Sequence, residues 1–169
     1  GSMAASLCCY FRALYGEDVR FCVVEAEEAD CLLETARADD GELHATTGSM
    51  QTMMAGLCCG YPCLTAWEML KTHADAFVAI PDETAARGMA MLARPFAGDP
   101  VIASGESGAS TYGLVLDLMT RFPELRDALG MNASSRVLCL STEGITDRAN
   151  YERVLASQAR ASEGAEEMR

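Results

Sequence analysis

The sequence is short of lysine, of basic charge in general and of long apolar runs, and each shortage excludes a class of protein. Lys71 is the single lysine among the 13 basic residues, which stand against 25 acidic residues for a net charge of −12. Nucleic acids and anionic membrane surfaces both bind through clustered Lys and Arg, so we predict neither as a partner. No apolar run reaches the length of a membrane-spanning helix, and we predict a cytoplasmic protein.

Aromatic residues are also few, at 7% of a chain that is 50% hydrophobic. Ala, Leu, Met and Cys fill the apolar positions instead, and they suit helix interiors or irregular gaps in a core. The length of 169 residues is enough for one domain. We predict that residues 1–161 form this domain and that residues 162–169 are an acidic disordered tail.

Eight cysteines are present, three of them in the segment CCGYPC at residues 58–63. The sequence has no Cys-x-x-Cys, and His44 and His73 do not stand at the spacing of zinc ligands, so we predict no metal site. Several cysteines lie in apolar periodic stretches, which favours free thiols in a reducing compartment. A thiol or metal-binding protein that uses CCGYPC is kept as a lower-ranked alternative.

Short apolar runs alternate with helical segments along the chain. This alternation predicts an α/β fold with a mostly parallel sheet flanked by helices. The predicted strands lie at residues 20–25, 42–46, 76–80, 100–103 and 136–140. Ligands of such sheets bind at the carboxyl ends of the strands, so the polar residues that follow each strand are the candidate site.

The segment SGESGAS, residues 104–110, follows a predicted strand and opens a predicted helix. Such a turn can present backbone N–H groups to a ligand at the helix N-terminus. Glu106 would repel an anion there, so it fits better as an acceptor for a ligand hydroxyl or amine. A helix cap with tight packing accounts for the same pattern.

The segment STEGITD, residues 141–147, places the hydroxyls of Ser141 and Thr142 at the carboxyl end of another predicted strand. A hydroxyl can form a hydrogen bond with a heterocyclic nitrogen without adding a full charge. Asp147 is predicted to cap the final helix, and a plain turn with an N-cap is the alternative reading.

Gly1 and Ser2 open the first predicted helix, which is the geometry of a phosphate cradle. The same two residues before a methionine are also typical of a vector remnant. The residues themselves do not separate these interpretations.

Six segments together resemble the diaminopropionate ammonia-lyases in order and spacing. They are VVEAEEADCLLET, GSMQTMMAGLCCGYP, AWEML, AARGMAMLARP, GDPVIASGESGAS and VLCLSTEGITD. The resemblance implies a fold type II, tryptophan synthase β-like architecture with pyridoxal phosphate as cofactor. It also implies α,β-elimination of 2,3-diaminopropionate to pyruvate and ammonia, normally by a cytosolic homodimer. Serine and threonine dehydratases share the cofactor, but their motifs match less of the chain.

The resemblance also implies roles for particular residues. Ser141, with Thr142 as second choice, matches the hydroxyl that contacts the pyridine nitrogen. The residues that match other cofactor-binding positions are Gly1, Ser2 and Met3 at the phosphate and Glu106 and Ser107 along the ring. The residues that match the substrate side are Met50, Thr52 and Gly56.

Two residues differ from those usual in the family, and two cysteines match a possible disulfide pair. Tyr61 stands where the family usually has Glu, and Ile145 where it usually has Asp. Cys31 and Cys59 match positions that form a disulfide in some members. The two departures put the substrate preference and the cofactor contacts in question.

The resemblance implies no catalytic residue in this sequence, because the family's Schiff-base lysine lies upstream of Gly1. Lys71 is predicted to be a solvated residue on the polar side of its helix, so it is a poor substitute. We therefore predict a partial lyase that is inactive alone. The alternatives are a non-catalytic binding or assembly module and one half of a split enzyme. The predicted partners are a small amino-acid substrate and either a second copy in a homodimer or the missing N-terminal half.

Overall fold

The structure, a computed structural model, describes residues 1–96 and 98–167, with side chains described as far as residue 161. Its elements are α1 Ser2–Tyr15, β1 Cys22–Ala26, α2 Cys31–Ala38, α3 Leu64–His73, β2 Ala76–Ile80, α4 Asp82–Ala93, α5 Glu106–Thr120, α6 Pro123–Ala128 and α7 Arg148–Glu167. The chain divides into two compact units. Unit 1 comprises Gly1–Thr52 and Gly56–Pro81, and unit 2 comprises Met53–Ala55 and Asp82–Arg169.

Unit 1 contains a parallel pair of strands with helices around it. Strand β1 pairs with β2 from Cys22 opposite Ala76 to Ala26 opposite Ile80. The core beside this sheet draws on α1, α2 and α3, and its fully buried members include Cys8 and Leu70. The parallel sheet with flanking helices confirms the predicted fold class.

Unit 2 is built on helices α4, α5 and α7. Met89 of α4 and Ala109 of α5 are fully buried in its core, and Tyr151 and Val154 of α7 pack against the same cluster. Ion pairs and hydrogen bonds between α4 and α5 converge on Asp117, which is 2% exposed. This pair of helices carries the turn that begins at residue 104 and therefore positions the candidate site.

Three of the five predicted strands are wrong, those at residues 42–46, 100–103 and 136–140. A strand needs a partner for its N–H and C=O groups, and within the described residues only β1 and β2 pair as a sheet. Apolar side chains of two of these runs are exposed, Val101 by 70% and Leu138 by 67%, whereas Leu43 of the first run packs against the core of unit 1 without forming a strand. An apolar run alone does not specify a strand when no neighbouring strand covers it.

Several predicted helix ends are confirmed. Gly16 ends α1 with a positive φ of 58°, and Pro123 lies in the first turn of α6. The carboxylate of Asp147 accepts the N–H of Asn150 at 2.9 Å and so caps α7. None of the helices in the described ranges has both the length and the apolar character to cross a membrane.

The predicted tail at residues 162–169 begins inside α7, whose backbone is described to Glu167. The side chains from residue 162 and the last two residues lie outside the described part. The disorder of this tail and the single domain at residues 1–161 both stay predictions.

Candidate functional site

Two hydroxyls from distant segments meet before helix α5. The Oγ atoms of Ser104 and Ser141 are 2.7 Å apart, the length of a normal O–H···O hydrogen bond. Ser104 is 1% exposed, whereas Ser141 is exposed to solvent. The pair therefore combines a buried hydroxyl with one that a ligand can reach.

Glu143 joins the STEGITD segment to the first turn of α5. Its Oε2 accepts the N–H of Ser107 at 2.7 Å and lies 3.4 Å from the N–H of Gly108. Its main-chain oxygen accepts the N–H of Gly105 at 3.1 Å. A carboxylate at a helix N-terminus satisfies N–H groups that have no partner within the helix. Glu143 thus holds Ser141 next to α5.

Sequence reasoning missed Glu143, although it lies inside a motif that was singled out. The capping interpretation of residues 104–110 is the one that the contacts support, but the cap comes from another segment. The available signal was an acidic residue beside a glycine-rich helix start. Which of the nearby acidic residues reaches the helix is decided by tertiary contacts.

Glu106 is buried, at 5% exposed, and its carboxylate accepts a hydrogen bond from the side-chain amide of Asn150. The sequence predicts Glu106 as an acceptor for a ligand group. In the structure its carboxylate instead accepts from a residue in the first turn of α7. Asn150 is a second residue that the sequence did not suggest. Whether Glu106 also contacts a ligand stays a prediction.

Gly108 leaves the space in which the two hydroxyls meet. A Cβ at this position would lie 2.6 Å from the Ser104 Oγ, 2.7 Å from the Glu143 main-chain oxygen and 3.0 Å from the Ser141 Oγ. Any side chain would therefore displace the hydroxyl pair. The glycine at this point of GESGA therefore has a packing reason, although glycine disfavours a helix interior.

The remaining predicted residues of unit 2 lie at the edge of this cluster. Thr142 is exposed, and Ile145 is half-buried and packs against the core of α4, α5 and α7. The departure from the family at residue 145 therefore places an apolar side chain against an apolar core.

In unit 1, the predicted phosphate-binding residues form the start of α1. Gly1 is the N-cap residue and has no side-chain cap, and Met3 is 53% exposed. The hydroxyl of Ser2 donates a hydrogen bond to the sulfur of Cys63, the residue just before α3. Hydrogen bonds from the Ala66 N–H and from Ser2 lower the pKa of the exposed Cys63 thiol. A 14-residue helix that begins without a side-chain cap has the N–H groups that a phosphate requires.

The predicted substrate residues of unit 1 lie in a loop that Glu28 fixes. Met50 has a positive φ of 60°, which is uncommon for a residue other than glycine. Its N–H donates to the Glu28 main-chain oxygen at 3.0 Å, and the Ser49 N–H donates to the Glu28 carboxylate at 2.7 Å. Thr52 and Gly56 flank the short segment of this loop that belongs to unit 2. Their roles toward a substrate stay predictions.

The cysteines are free thiols, and the lysine of unit 1 lies on the surface. All eight cysteines of the chain are free thiols, and Cys31 and Cys59 are not joined. Among the described residues, no three His, Cys, Asp or Glu side chains converge as metal ligands would. The Lys71 ammonium donates to the Glu68 carboxylate at 2.8 Å on the surface of α3, which confirms that Lys71 is a solvated residue.

Comparisons with known proteins agree with this picture. Residues 1–143 match the family described as pyridoxal-phosphate dependent enzymes. The chain is 40% identical to the diaminopropionate ammonia-lyase of Salmonella typhimurium over 92% of its own length and 39% of the relative's. A crystal structure of the Escherichia coli diaminopropionate ammonia lyase, bound to a reaction intermediate, matches with a TM-score of 0.83 at 35% identity, again over 92% of this chain and 39% of that one. Maize serine racemase, with a TM-score of 0.72 at 16% identity, shares the fold.

The resemblance to diaminopropionate ammonia-lyases is thereby confirmed, and so is the fold type II architecture. The chain spans about two fifths of the length of the curated relatives that it matches, 39% in each case. The family match covers residues 1–143, which is most of the chain and includes the Ser104–Ser141 pair. On this evidence the chain belongs to the pyridoxal-phosphate dependent enzymes.

Proposed function

We propose that this chain is part of a carbon–nitrogen lyase that uses pyridoxal phosphate to eliminate ammonia from 2,3-diaminopropionate. The observation that carries the proposal is the Ser104–Ser141 pair, because it places an accessible hydroxyl at the motif that resembles the ring-nitrogen contact of the family. The likeness to the Salmonella typhimurium relative, at 40% identity, supports the substrate.

The donor groups of the chain fit the cofactor. The Ser141 hydroxyl can donate to a pyridine nitrogen, and the uncapped start of α1 at Gly1, Ser2 and Met3 can donate backbone N–H groups to a phosphate. When bound, the cofactor supplies an electron sink for the carbanion formed at the substrate. Ser141 of unit 2 would orient the ring, and the start of α1 in unit 1 is a separate candidate for a phosphate.

The reactive lysine of such an enzyme does not come from this sequence. Covalent catalysis by lysine requires an ammonium with a lowered pKa at the cofactor, whereas Lys71 pairs with Glu68 in an exposed position. We propose that these 169 residues alone are inactive and that the reactive lysine is supplied by polypeptide outside them.

Pyruvate release tests this proposal. The chain with pyridoxal phosphate and 2,3-diaminopropionate should release no pyruvate above the blank. Addition of the part of the Salmonella typhimurium relative that this chain does not match should start pyruvate release, because the lysine is then present. Ser141→Ala in the same mixture should reduce the rate. Pyruvate from the chain alone, or none from the mixture, would contradict this proposal.

A second candidate, an assembly module, is favoured by the exposed apolar segments of unit 2. Val101, Ile102, Val137 and Leu138 are exposed by 70%, 42%, 50% and 67%. We propose that these side chains contribute to an association surface, because exposed apolar area marks such surfaces. The occupant proposed here is a second copy of the chain, as in a homodimer.

Light scattering after size-exclusion chromatography measures this association. The chain should elute as a dimer or larger, and the double variant Val101→Ser, Leu138→Ser should shift it toward the monomer. Tyr61→Ser, which removes a comparably exposed aromatic residue of unit 1, is the matched control and should leave the mass unchanged. A monomer at every concentration would rule out this candidate.

A further inference from the structure

We infer that Ser104 is a positioning residue, whose buried hydroxyl donates to the Ser141 Oγ and so directs the Ser141 proton outward to the ring nitrogen of the cofactor. This inference rests on the proposed function, because it assigns Ser141 to that nitrogen. It adds a residue that the motif resemblance does not mark. The inference concerns the direction of the hydrogen bond between Ser104 and Ser141.

A serine hydroxyl has one proton and two lone pairs. In a pair at 2.7 Å, one hydroxyl donates and the other accepts, so only two directions exist. If Ser104 donates, the Ser141 proton is available to a ligand. If Ser141 donates, its remaining lone pairs face the ligand, and the only proton left belongs to buried Ser104.

The surrounding acceptors favour Ser104 as the donor. Its alternatives, the main-chain oxygens of Gly105 and Glu143, both lie 3.4 Å away, well beyond the usual O–H···O length. Ser104 is 1% exposed, so water does not replace a missing acceptor, and an unsatisfied buried donor is costly. The Ser141 Oγ at 2.7 Å is therefore the best place for the Ser104 proton.

Ser141 then has a proton without a good partner inside the protein. Its acceptor among the described residues, the Glu143 main-chain oxygen, is 3.5 Å away. Ser141 is exposed, so the proton can reach a ligand atom that has a lone pair. An unprotonated pyridine nitrogen has that lone pair, whereas a protonated one does not. A hydrogen bond donated by Ser104 to Ser141 therefore favours a cofactor whose pyridine nitrogen is unprotonated.

The test uses the 169-residue chain and pyridoxamine 5′-phosphate, which has the ring and the phosphate but no aldehyde to react with Lys71. Equilibrium dialysis gives the Kd for the unchanged chain and for Ser104→Ala, Ser141→Ala and the double variant. Ser110→Ala is the matched control, because Ser110 is a serine of α5 that is also 1% exposed and donates to the Ser107 carbonyl. Circular dichroism checks that each variant is folded.

Ser104→Ala should raise the Kd about fivefold, the effect of one hydrogen bond, because the Ser141 proton is no longer directed outward. In the Ser141→Ala background the same change should have no further effect, since the two residues act as a unit. Ser110→Ala should leave the Kd unchanged. The ¹⁵N NMR shift of the labelled ring nitrogen in the unchanged chain should be that of an unprotonated pyridine.

Each other result contradicts a separate statement. A lower or unchanged Kd for Ser104→Ala would mean that Ser141 donates to Ser104, and it would overturn the inference while the proposed function stands. If Ser104→Ala raised the Kd equally in the unchanged chain and in Ser141→Ala, Ser104 would have only a packing role. A protonated ring nitrogen in the unchanged chain would also overturn the inference. No saturable binding by the unchanged chain would instead overturn the cofactor assignment of the proposed function.

Discussion

Gly113→Ala is expected to lower the free energy of unfolding of unit 2 by about 3 kcal/mol, as overpacking of a helix interface does. A Cβ at Gly113 of α5 would lie 2.1 Å from the main-chain oxygen of Thr84 in α4. The neighbour is backbone, which cannot rotate away as a side chain can. On the facing helix, a Cβ at Gly88 would lie 2.4 Å from the main-chain oxygen of Ala109, so the two glycines form one close crossing. The gain in helix propensity from Gly to Ala, about 1 kcal/mol, is too small to offset this overlap.

Amide hydrogen exchange under native conditions measures this loss of stability, because it reports on the opening of α4 and α5 directly. Met119→Ala is the control, since Met119 is an exposed residue of the same helix at 49% and should change protection little. Trp67, the single tryptophan, lies in the core of unit 1, so its fluorescence reports on that unit separately. Unchanged exchange in Gly113→Ala would mean that the helices separate at little cost, and the close crossing would not be a source of stability.

Asp117→Asn is expected to lower the free energy of unfolding by about 2 kcal/mol, because it removes the charge that pairs with Arg87 in a largely buried position. The Asp117 carboxylate accepts the Thr84 hydroxyl at 2.7 Å and the Arg87 Nε at 3.0 Å, and the Arg87 Nη2 also donates to it. Asn keeps the shape but offers only one oxygen to these donors. The guanidinium of Arg87 would then be left partly buried without its partner.

The contribution of Asp117 should also depend on pH. Burial alone raises the pKa of Asp117, but the hydrogen bonds from Arg87 and Thr84 and the charges of Arg87 and Arg121 outweigh it and lower the pKa below 3.8. A carboxyl with a lowered pKa in the folded state stabilises that state above the ordinary value and loses the effect as the pH falls through the lowered value. The free energy of unfolding, measured by urea denaturation, should therefore fall more at acid pH for the unchanged chain than for Asp117→Asn.

Arg121→Ala is the control for this carboxylate. Its guanidinium lies 3.6 Å from the Asp117 Oδ1 and its side chain is 51% exposed, so the pair is a surface ion pair of about 0.5 kcal/mol or less. Equal losses from Asp117→Asn and Arg121→Ala would contradict the assignment of the stability to the buried Arg87 pair.

The sequence by itself determined the family, the two paired strands and several helix ends. Motifs such as GDPVIASGESGA are contiguous, so their order and spacing are visible without a structure. The ends of α1 and α7 depend on Gly16 and Asp147, whose caps act on neighbouring residues, and local chemistry of this kind is legible in a single segment.

Only the tertiary structure decided which residues meet. Ser104 and Ser141 are 37 residues apart, and the carboxylate that caps α5 comes from Glu143 rather than from the nearer Glu106. Val101, Ile102, Val137 and Leu138 are exposed, although their segments suggest buried strands. A strand and a hydroxyl pair are both properties of two segments, because each needs a partner, and no single segment of sequence names the partner.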